Sequence, residues 1–492
     1  MTSRTEQKIE YGDFQTPAVL AREVCKVLRN LGIDPRLILE PTCGKGSFLQ
    51  AAVHAFPACK KVLGYEIRPE YVQMARSIEG AAVFCQDFFQ KDWLSTFRDL
   101  QEPALIIGNP PWVTNSALGT LGGSNLPQKS NFRGLNGLEA KMGKSNFDIS
   151  EWMLIHLLEC LSGREAALAM LCKTGVARKV LHHAWGQNLE MEDSRMYLID
   201  AVKHFNASVD ACLLVCILKP GGRSKECTVF SDLGTSPEAQ STVAFRDGRL
   251  VADLASYKSH GHILGESPLK WRSGVKHDCS RIMELVRTDA GEFRNGLGEV
   301  VALESTNLYP MLKSSDLLRG SPTPSRYMLV TQCAVGEDTS RLQRESPRTW
   351  EYLQSHSKLL DSRRSSIYKN RPRFSVFGVG PYSFTPWKVA ISGFAKRLDF
   401  HCIGPYRQKP VVVDDTCYFL PCKTKEEAGL LTKLLNSPAA RSFFHAFIFW
   451  DAKRPITAQL LAALDFGVLG KEVGVESIPA WLRSERGQMK FL

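Results

Sequence analysis

The tetrapeptide Asn109-Pro110-Pro111-Trp112 follows the apolar run ALIIG and has the residue types needed to hold a planar amine. Two consecutive prolines stiffen the chain and remove N–H donors, so the local backbone presents only carbonyl oxygens. The side-chain oxygen of Asn109 and the Pro110 carbonyl can then accept both hydrogens of one amino group. Trp112 offers a flat face on which a ring can stack. We interpret the tetrapeptide as a catalytic site for an NH₂ group on a planar substrate.

A glycine-containing turn, Glu40-Pro41-Thr42-Cys43-Gly44-Lys45-Gly46, lies upstream between the apolar run RLILE and the segment FLQAAVHAF. Gly44 and Gly46 allow the backbone to turn tightly and to approach a ligand closely. An acidic residue beside such a turn is unfavourable for phosphate binding, which argues against a dinucleotide or a nucleoside triphosphate. A carboxylate suits a cation, and S-adenosylmethionine carries both a sulfonium and an ammonium group. Glu40 therefore favours this cofactor.

Two further acidic residues follow apolar runs, Glu66 in KVLGYE and Asp87 in AAVFCQD. A carboxylate after the second strand can accept hydrogen bonds from both hydroxyls of a ribose. Asp87 can accept from an exocyclic amine, and Phe88 beside it can cover an adenine ring. The alternative for these positions is an ordinary polar strand end, with Phe88 packed in the core.

The elements that would position these residues form a repeating pattern. Continuous apolar runs precede Glu40, Glu66, Asp87 and Asn109, and each interval is long enough for a strand and a crossover helix. Such runs are typical of a parallel sheet covered on both faces, which binds its ligand beyond the carboxyl ends of its strands. The sequence therefore predicts an α/β fold with the four polar residues at one edge.

The rest of the first half continues this pattern. SNFDISEWMLIHLLECL and ARKVLHHAWGQNL are predicted helices, and EAALAMLC, YLIDAVKHF and VDACLLVCILKP are predicted strands. The Gly- and Ser-rich residues 114–146 are expected to form a loop at the mouth of the site. The turn at residues 220–222 is interpreted as the end of the first domain, which gives a catalytic domain over 1–220 and a second domain over 221–492.

Composition restricts the class of protein. The 492 residues carry a formal net charge of +11, which favours a polyanionic partner. The N-terminus has no apolar signal-peptide region, and no run reaches the ~18 apolar residues of a membrane span, so we expect a cytoplasmic, nucleoid-associated protein. The fourteen cysteines include no CxxC pair, so we expect reduced, mostly buried thiols and no metal.

A basic block over residues 361–410 is the main feature of the second half, with ten Lys and Arg residues against two acidic residues. Nine aromatic residues are interleaved with them. Basic side chains track a phosphate backbone, and aromatic rings stack on exposed bases. The alternative is a solvated basic face above an aromatic core. The residues predicted to contact DNA are Arg371, Arg373, Lys388, Lys396 and Arg397.

The order of these motifs, beginning with Phe14-Gln15-Thr16-Pro17, resembles the gamma class of adenine-N6 DNA methyltransferases. The resemblance covers about the first 220 residues well and the remainder more loosely, although FSVFGVGPYSFTPWKVAISGF and AKRPIT are similar to target-recognition domains of this class. It implies a Rossmann-like S-adenosylmethionine-dependent methyltransferase sheet with a reversed terminal hairpin, followed by a mixed α+β target-recognition domain.

The resemblance also implies roles for individual residues in binding S-adenosylmethionine. The expected contacts are Thr16 and Pro17 over the methionine part, Glu40, Gly44 and Gly46 along the amino-acid moiety, Glu66 at the ribose, Asp87 and Phe88 at the adenine, and Asn109 beside the reacting methyl group. The tetrapeptide departs from the commoner pattern because Trp112 stands where Tyr or Phe is usual. A second aromatic that would sandwich the base is not evident, and Leu181 or His182 is a candidate for that position.

The expected reaction is direct methyl transfer to N6 of an adenine that has been flipped out of duplex DNA onto Trp112. We expect a site-specific, monomeric modification enzyme of type II restriction-modification style, either partnered with a separate endonuclease or solitary. The alternatives are a methyltransferase acting on protein glutamine amides or on RNA bases. A catalytically inactive DNA-binding regulator is a further alternative, which the intact Asn109 and Gly44 argue against.

Overall fold

The computed structural model describes residues 15–113, 148–234, 236–320, 323–475, 479 and 482. Phe14 and the loop predicted over 114–146 lie outside the described residues. The chain divides into two compact units, Met1–Ala255 and Ser256–Leu492, which we call the first and second units. None of the helices in the described ranges is long and apolar enough to cross a membrane.

The first unit alternates strands and helices along the chain. Its strands are β1 (Leu37–Glu40), β2 (Lys61–Glu66), β3 (Ala81–Cys85), β4 (Ala104–Gly108), β5 (Ala166–Lys173), β6 (Asp193–Ile199), β7 (Ala211–Leu218), β8 (Glu226–Phe230), β9 (Ala239–Arg246) and β10 (Arg249–Val251). Its helices are α1 (Ala18–Asn30), α2 (Ser47–Ala55), α3 (Pro69–Ala75), α4 (Trp93–Arg98), α5 (Ile149–Leu161), α6 (Thr174–Gly186) and α7 (Ala201–Phe205).

All ten of these strands form one sheet in the order β10-β9-β8-β6-β7-β5-β4-β1-β2-β3. The strands β3, β2, β1, β4 and β5 are parallel, and β7 runs antiparallel to both β5 and β6. Strands β1 and β4 are buried along their whole length, as expected when helices cover both faces. The predicted α/β sheet is confirmed, and its antiparallel strand β7 lies inside the ten-stranded sheet, between β5 and β6.

The prediction of one strand over YLIDAVKHF is wrong. Strand β6 ends at Ile199, and the side chain of Asp200 then accepts a hydrogen bond from the backbone N–H of Lys203 at 2.9 Å. This N-cap starts the short helix α7, which ends at Phe205 and is followed by Asn206 in the left-handed region at φ 53°. Residues 201–205 therefore form a helix and do not extend β6.

The first unit also continues beyond the boundary predicted at residue 220. Gly221 adopts φ +79°, and a Cβ on Gly222 would lie 2.6 Å from the carbonyl carbon of Met191. The Pro-Gly-Gly sequence thus forms a tight turn against neighbouring backbone, after which β8 pairs in parallel with β6. Strands β8, β9 and β10 complete the same sheet, so the structure places the boundary after Ala255.

The second unit is a mixed α+β domain, as predicted. Its strands are β11 (Arg272–Ser273), β12 (Glu284–Arg287), β13 (Phe293–Asn295), β14 (Val300–Val301), β15 (Leu308–Leu312), β16 (Arg326–Leu329), β17 (Trp387–Ser392), β18 (His401–Ile403), β19 (Val412–Val413) and β20 (Cys417–Cys422). The helices that follow α8 (Leu254–His260) are α9 (Ser280–Met283), α10 (Ser314–Leu318), α11 (Leu342–Glu345), α12 (Pro347–Ser355), α13 (Ser357–Asp361), α14 (Lys425–Leu435), α15 (Pro438–His445), α16 (Ala458–Ala462) and α17 (Phe466–Glu472).

These strands form two sheets, one in the order β14-β13-β12-β16-β15-β19 and the other in the order β11-β20-β17-β18. Ile391 and Leu420 of the four-stranded sheet pack with Leu431, Phe443 and Phe444 from helices α14 and α15. The six-stranded sheet has its own apolar core. The aromatic residues of the 361–410 block contribute to both cores, with Phe374 and Phe400 fully or nearly fully buried.

Candidate active site

The turn after β1 requires both of its glycines. Gly44 and Gly46 adopt φ +52° and +88°, a region that residues with a Cβ rarely occupy. A Cβ on Gly46 would lie 2.3 Å from Cδ1 of Ile78, and one on Gly44 would lie 2.7 Å from Oε1 of Gln15. The backbone N–H of Lys45 also donates to Gln15 Oε1 at 3.1 Å. The turn is therefore closely packed and leads directly into α2.

The carboxylate of Glu66 holds the ends of β1 and β2 together. It accepts from the backbone N–H of Gly44 at 2.8 Å and from that of Arg68 at 2.9 Å, one bond to each oxygen. Burial raises the pKa of Glu66, and these hydrogen bonds act in the opposite direction. Because each carboxylate oxygen can accept a second hydrogen bond, Glu66 is placed to bind a pair of hydroxyls as well.

Glu40 is the most deeply buried acid of the site, with 3% of its surface exposed. Its Oε2 and the hydroxyl of Thr42 are buried without a hydrogen-bond partner among the described residues. Burial raises the pKa of Glu40 well above its usual range, and the nearby charge of Glu66 adds to this effect. A buried carboxylate oxygen without a partner is unfavourable in the isolated protein. The arrangement is suited to a cationic ligand, which would supply the missing partner.

A small cavity brings several of the predicted residues together. It is lined by Gln15, Thr16, Glu40, Thr42, Cys43, Gly44, Ser47 and Asn109. Thr16, Glu40, Gly44 and Asn109 come from three separate stretches of sequence, and they meet because β1 and β4 are adjacent parallel strands. Pro17 is the N-cap residue of α1, next to Thr16, and is not part of the cavity wall.

Asp87 and Phe88 follow the end of β3, where both have local contacts. Asp87 accepts from the backbone N–H of Phe89 at 2.9 Å, and its neighbour Gln86 joins β3 to Glu66 through a backbone hydrogen bond of 2.9 Å. Phe88 is buried, and its ring centroid lies 4.9 Å from that of Trp93. Phe88 thus packs in the core, the alternative given for it above, and its predicted contact with an adenine ring stays a prediction. Phe89 remains half-buried at this end of the strand.

The tetrapeptide is attached to the neighbouring strand β5. The indole N–H of Trp112 donates to the carbonyl of Leu171 at 3.3 Å, and the ammonium of Lys173 donates to the carbonyl of Trp112 at 3.0 Å. Lys173 also forms an ion pair with Asp148 at 2.6 Å, and Asp148 caps α5. The contacts of Lys173 and Asp148 with the tetrapeptide and with α5 were not predicted from the sequence. The available signals were a lysine at a strand end and an acid before a helix.

Phe205 is the second aromatic residue beside Trp112. The two ring centroids lie 5.1 Å apart at an interplanar angle of 65°. Neither of the residues suggested from sequence fits this position, because Leu181 is fully buried and His182 packs against Phe245 at 5.5 Å. Phe205 was missed because its segment was assigned to a strand, whereas the cap at Asp200 places it on α7.

The predicted DNA-contacting residues of the second unit have different environments. Arg371, Arg373 and Arg397 are all exposed, and two of them form ion pairs, Arg373 with Asp361 at 2.7 Å and Arg397 with Asp399 at 3.6 Å. Lys396 donates to the carbonyls of two residues, at 450 and 452. Lys388 is 1% exposed and donates to the carbonyl of Thr385 at 2.7 Å, and burial lowers its pKa to about 7. Lys388 is therefore a core residue that cannot reach a phosphate.

All fourteen cysteines are free thiols, and most of them are buried. Within the described ranges, no group of three His, Cys, Asp or Glu side chains could hold a metal ion.

The chain is similar to known proteins in its sequence and in its fold. No protein-family model matches the chain. M.NspV, a type II methyltransferase from Nostoc sp., is 46% identical over 474 residues, which are 95% of this chain and 98% of that protein. M.CvrRI, a type II methyltransferase from Paramecium bursaria Chlorella virus XZ-6E, is 33% identical over 110 residues, 22% of this chain and 26% of that protein.

The fold is also similar to that of a solved structure, the type IIL restriction-modification enzyme MmeI in complex with DNA. The TM-score is 0.52 at 13% sequence identity, and the match covers 94% of this chain and 65% of that chain. At this identity the similarity shows a shared fold. The family is shown by the identity of 46% along nearly the whole of both sequences. The chain belongs to the type II methyltransferases.

Proposed function

We propose that this methyltransferase transfers the methyl group of S-adenosylmethionine to N6 of an adenine flipped out of duplex DNA, as the modification enzyme of a restriction-modification system. The main support is the cavity at the ends of β1 and β4. The same cavity wall contains Glu40 and Gly44, which suit a cationic cofactor, and Asn109, which suits an amine. N-methylation requires a methyl donor and an amino group to meet. Residues suited to each of them line this one small cavity.

The residues at the strand ends are chemically suited to S-adenosylmethionine. Glu40 has a buried oxygen without a hydrogen-bond partner among the described residues, and it would face a cationic part of the cofactor. Glu66 would accept from the ribose hydroxyls, and Thr16 would contact the methionine part. When bound, this cofactor supplies an electrophilic methyl group on a sulfonium centre, so no metal is required for activation. Asp87 stays the proposed acceptor for the adenine amine, and Phe88 the proposed contact of the adenine ring.

Asn109 and Pro110 position the substrate amine in this proposal. The side-chain oxygen of Asn109 and the carbonyl of Pro110 accept its two hydrogens, which orients the nitrogen lone pair and increases its electron density. Lys173 fixes the tetrapeptide by holding the Trp112 carbonyl and by pairing with Asp148. The acceptors are thus preorganised and need little rearrangement when substrate binds.

Trp112 and Phe205 would hold the flipped base between them. Their rings are in edge contact, so a base can enter only when one ring turns aside. Trp112 is buried and hydrogen-bonded through its indole N–H, whereas Phe205 is half-buried at the end of the five-residue helix α7. Phe205 is therefore the ring that we expect to move.

The alternatives make different products, so product analysis tests the proposal. The full-length protein would be incubated with isotopically labelled S-adenosylmethionine in three separate reactions. One contains duplex DNA, one structured RNA and one a glutamine-containing protein acceptor. We expect label only in DNA, recovered as N6-methyladenine after hydrolysis to nucleosides. Label in N4-methylcytosine, in RNA or in a glutamine side chain would overturn the proposal.

Phe205→Ala should reduce DNA methylation by roughly 5- to 150-fold, because stacking on one aromatic ring is worth about 1–3 kcal/mol per base. Phe205→Trp should retain most activity because it keeps a stacking face. The measurement is the single-turnover rate at saturating cofactor. His182→Ala is the matched control, since His182 packs on Phe245 away from Trp112. Equal rates for Phe205→Ala and wild type would remove Phe205 from the base site.

Cofactor affinity should weaken as the pH falls, because of Glu40. Its pKa is raised by burial, so at acidic pH the carboxyl is neutral and must lose a proton before it can pair with a cation. The dissociation constant should therefore rise by up to about tenfold per pH unit below the raised pKa. Calorimetric titration with S-adenosylmethionine between about pH 5 and pH 7 measures this, since the cofactor's own amine is protonated in that range.

Glu40→Gln is the control for that pH dependence. It should bind the cofactor more weakly at pH 7 and with a flatter pH profile, in which the remaining slope reflects Glu66. A wild-type profile that is already flat, or an unchanged steep profile in Glu40→Gln, would show that Glu40 does not face the cationic part of the cofactor.

A further inference from the structure

An unusual two-residue hairpin closes the basic block of the second unit. The backbone N–H of Tyr406 donates to the carbonyl of Lys409 at 2.8 Å, and the N–H of Lys409 donates to the carbonyl of Tyr406 at 3.0 Å. Between them Arg407 and Gln408 adopt φ +49° and +63°. Positive φ at both central residues defines a type I′ turn.

The residue types at this turn are not those that stabilise it. Type I′ turns favour Asn, Asp or Gly, because a longer side chain in the left-handed region is strained. Arg407 and Gln408 belong to none of these three types, and both side chains are exposed. Strain of this kind is kept where the side chains themselves are needed. The turn therefore presents an arginine and a glutamine at a cost to its own stability.

The base of the hairpin is firmly held. Tyr406 packs against the cores of the second unit, and the ammonium of Lys409 donates to the carbonyls of Ser305 and Leu308. Prolines flank the hairpin at 405 and 410, and the buried strand β19 follows. A rigid base with an exposed tip limits the entropy that the tip loses on binding a ligand.

The side chains at the tip have the chemistry of base recognition. An arginine can donate two parallel hydrogen bonds to O6 and N7 of guanine, and a glutamine can bond both N6 and N7 of adenine. The major groove is wide enough for a two-stranded ribbon. Among the described residues no carboxylate lies within ion-pair distance of Arg407, whereas Arg373 and Arg397 each have an aspartate partner. The guanidinium of Arg407 lies 5.5 Å from the centroid of the Tyr406 ring and keeps its N–H donors for a ligand.

We propose that the hairpin tip formed by Arg407 and Gln408 enters a groove of the target DNA and determines sequence specificity by contacting base edges. This inference rests on the proposed DNA substrate. Arg407 contacts a guanine and Gln408 an adjacent adenine within the recognition site. Phosphate contacts are left to exposed basic residues elsewhere in the second unit, such as Arg371.

Arg407→Lys separates base recognition from charge. Lysine keeps the positive charge for a phosphate but lacks the planar fork that a guanine requires. The recognition site of the wild type is first mapped by methylation-sensitive sequencing of DNA from expressing cells. Methylation rates are then measured on duplexes that carry each single base-pair substitution of that site. We expect a 5- to 150-fold loss on the wild-type site and relaxed preference at one G·C position. Arg344→Lys, at an exposed arginine that is ion-paired with Glu345, should change neither.

A double substitution, Arg407→Asn with Gln408→Gly, tests the strain argument. Asn-Gly is the preferred type I′ sequence, so the melting temperature should rise while discrimination at two adjacent base pairs is lost. A hairpin with only a structural role would give the higher melting temperature with unchanged specificity, and that result would overturn the proposal.

The other outcomes are equally decisive. In the Arg407→Asn, Gln408→Gly variant, which removes the charge, an equal loss of rate on every duplex with a shallower salt dependence would identify Arg407 as a phosphate contact and overturn the proposal. If the wild-type protein methylates DNA and both variants keep its site preference, the hairpin proposal is refuted and the proposed function stands. Wild-type protein that methylates no DNA would refute the proposed function and, with it, this inference.

Discussion

Asn109→Ala should lower the rate of methyl transfer to DNA by about 10²- to 10³-fold, which is the usual loss when one preorganised hydrogen-bonding group is removed from a reacting centre. The physical reason is that the substrate amine loses one of its two acceptors and with it the alignment of its lone pair. Affinity for the cofactor should change by only a few fold, because Glu40, Glu66 and the Gly44 turn are unaltered. The measurements are single-turnover rates and calorimetric titration with S-adenosylhomocysteine.

Asn109→Asp is the matched variant. It keeps an oxygen acceptor of the same shape but adds a negative charge close to Glu40, so we expect an activity between those of wild type and Asn109→Ala. Wild-type activity in Asn109→Ala would contradict the assignment of the amine site. A loss of cofactor affinity as large as the loss of rate would instead show that Asn109 acts mainly as part of the cofactor cavity wall.

Glu66→Ala should weaken cofactor binding by about 10²- to 10⁴-fold, because two hydrogen bonds to a charged group are lost at about 1.5–3 kcal/mol each. The same substitution leaves the backbone N–H groups of Gly44 and Arg68 without their acceptor. Titration with S-adenosylhomocysteine measures the dissociation constant, and the melting temperature without ligand reports on folding.

Two further variants separate these effects. Glu66→Gln keeps one oxygen, but its amide NH₂ would face a backbone N–H, so we expect a loss of affinity nearly as large. Glu79→Ala removes an exposed acid of the same unit and should behave as wild type. Tight binding by a folded Glu66→Ala protein would exclude Glu66 from the ribose site.

The strand ends of the first unit could be predicted because a single physical rule places them. Continuous apolar runs are buried on both faces of a parallel sheet, and the residues that follow them meet at one edge. Glu40 and Asn109 come together for this reason, although a long stretch of sequence separates them. The pattern contains no comparable information about side chains that reach the site from outside the sheet.

Phe205 and Lys173 illustrate what the pattern could not give. Phe205 depends on whether an apolar stretch continues as a strand or turns into a helix, and the capping hydrogen bond of Asp200 decides this. Lys173 extends β5 by one residue and points to the Trp112 carbonyl, a contact that requires the register between β4 and β5. Both are set by tertiary geometry and not by local periodicity.

Charge alone was a poor guide in the second unit. Lys388 counted toward the basic block, yet it lies in the buried strand β17, where its ammonium is satisfied by one backbone carbonyl. Arg363 likewise donates to the carbonyls of His277 and Ser375 and stacks on Tyr368. A count of basic residues cannot separate such structural cations from those that face solvent. The exposed tip at Arg407 was distinguished by its backbone conformation.

A backbone hydrogen bond joins Val113, the residue after the tetrapeptide, to the first residue of α5, and this bond has a consequence for the evolution of chain length. The backbone N–H of Ile149 donates to the carbonyl of Val113 at 2.9 Å, so residues 113 and 149 are directly bonded to each other. This hydrogen bond holds together the two residues on either side of positions 114–147. The cost of closing a loop between fixed ends grows slowly, by about 0.6 kcal/mol for each doubling of its length. Related enzymes can therefore differ in the number of residues between these two positions without changing the distance between catalytic groups.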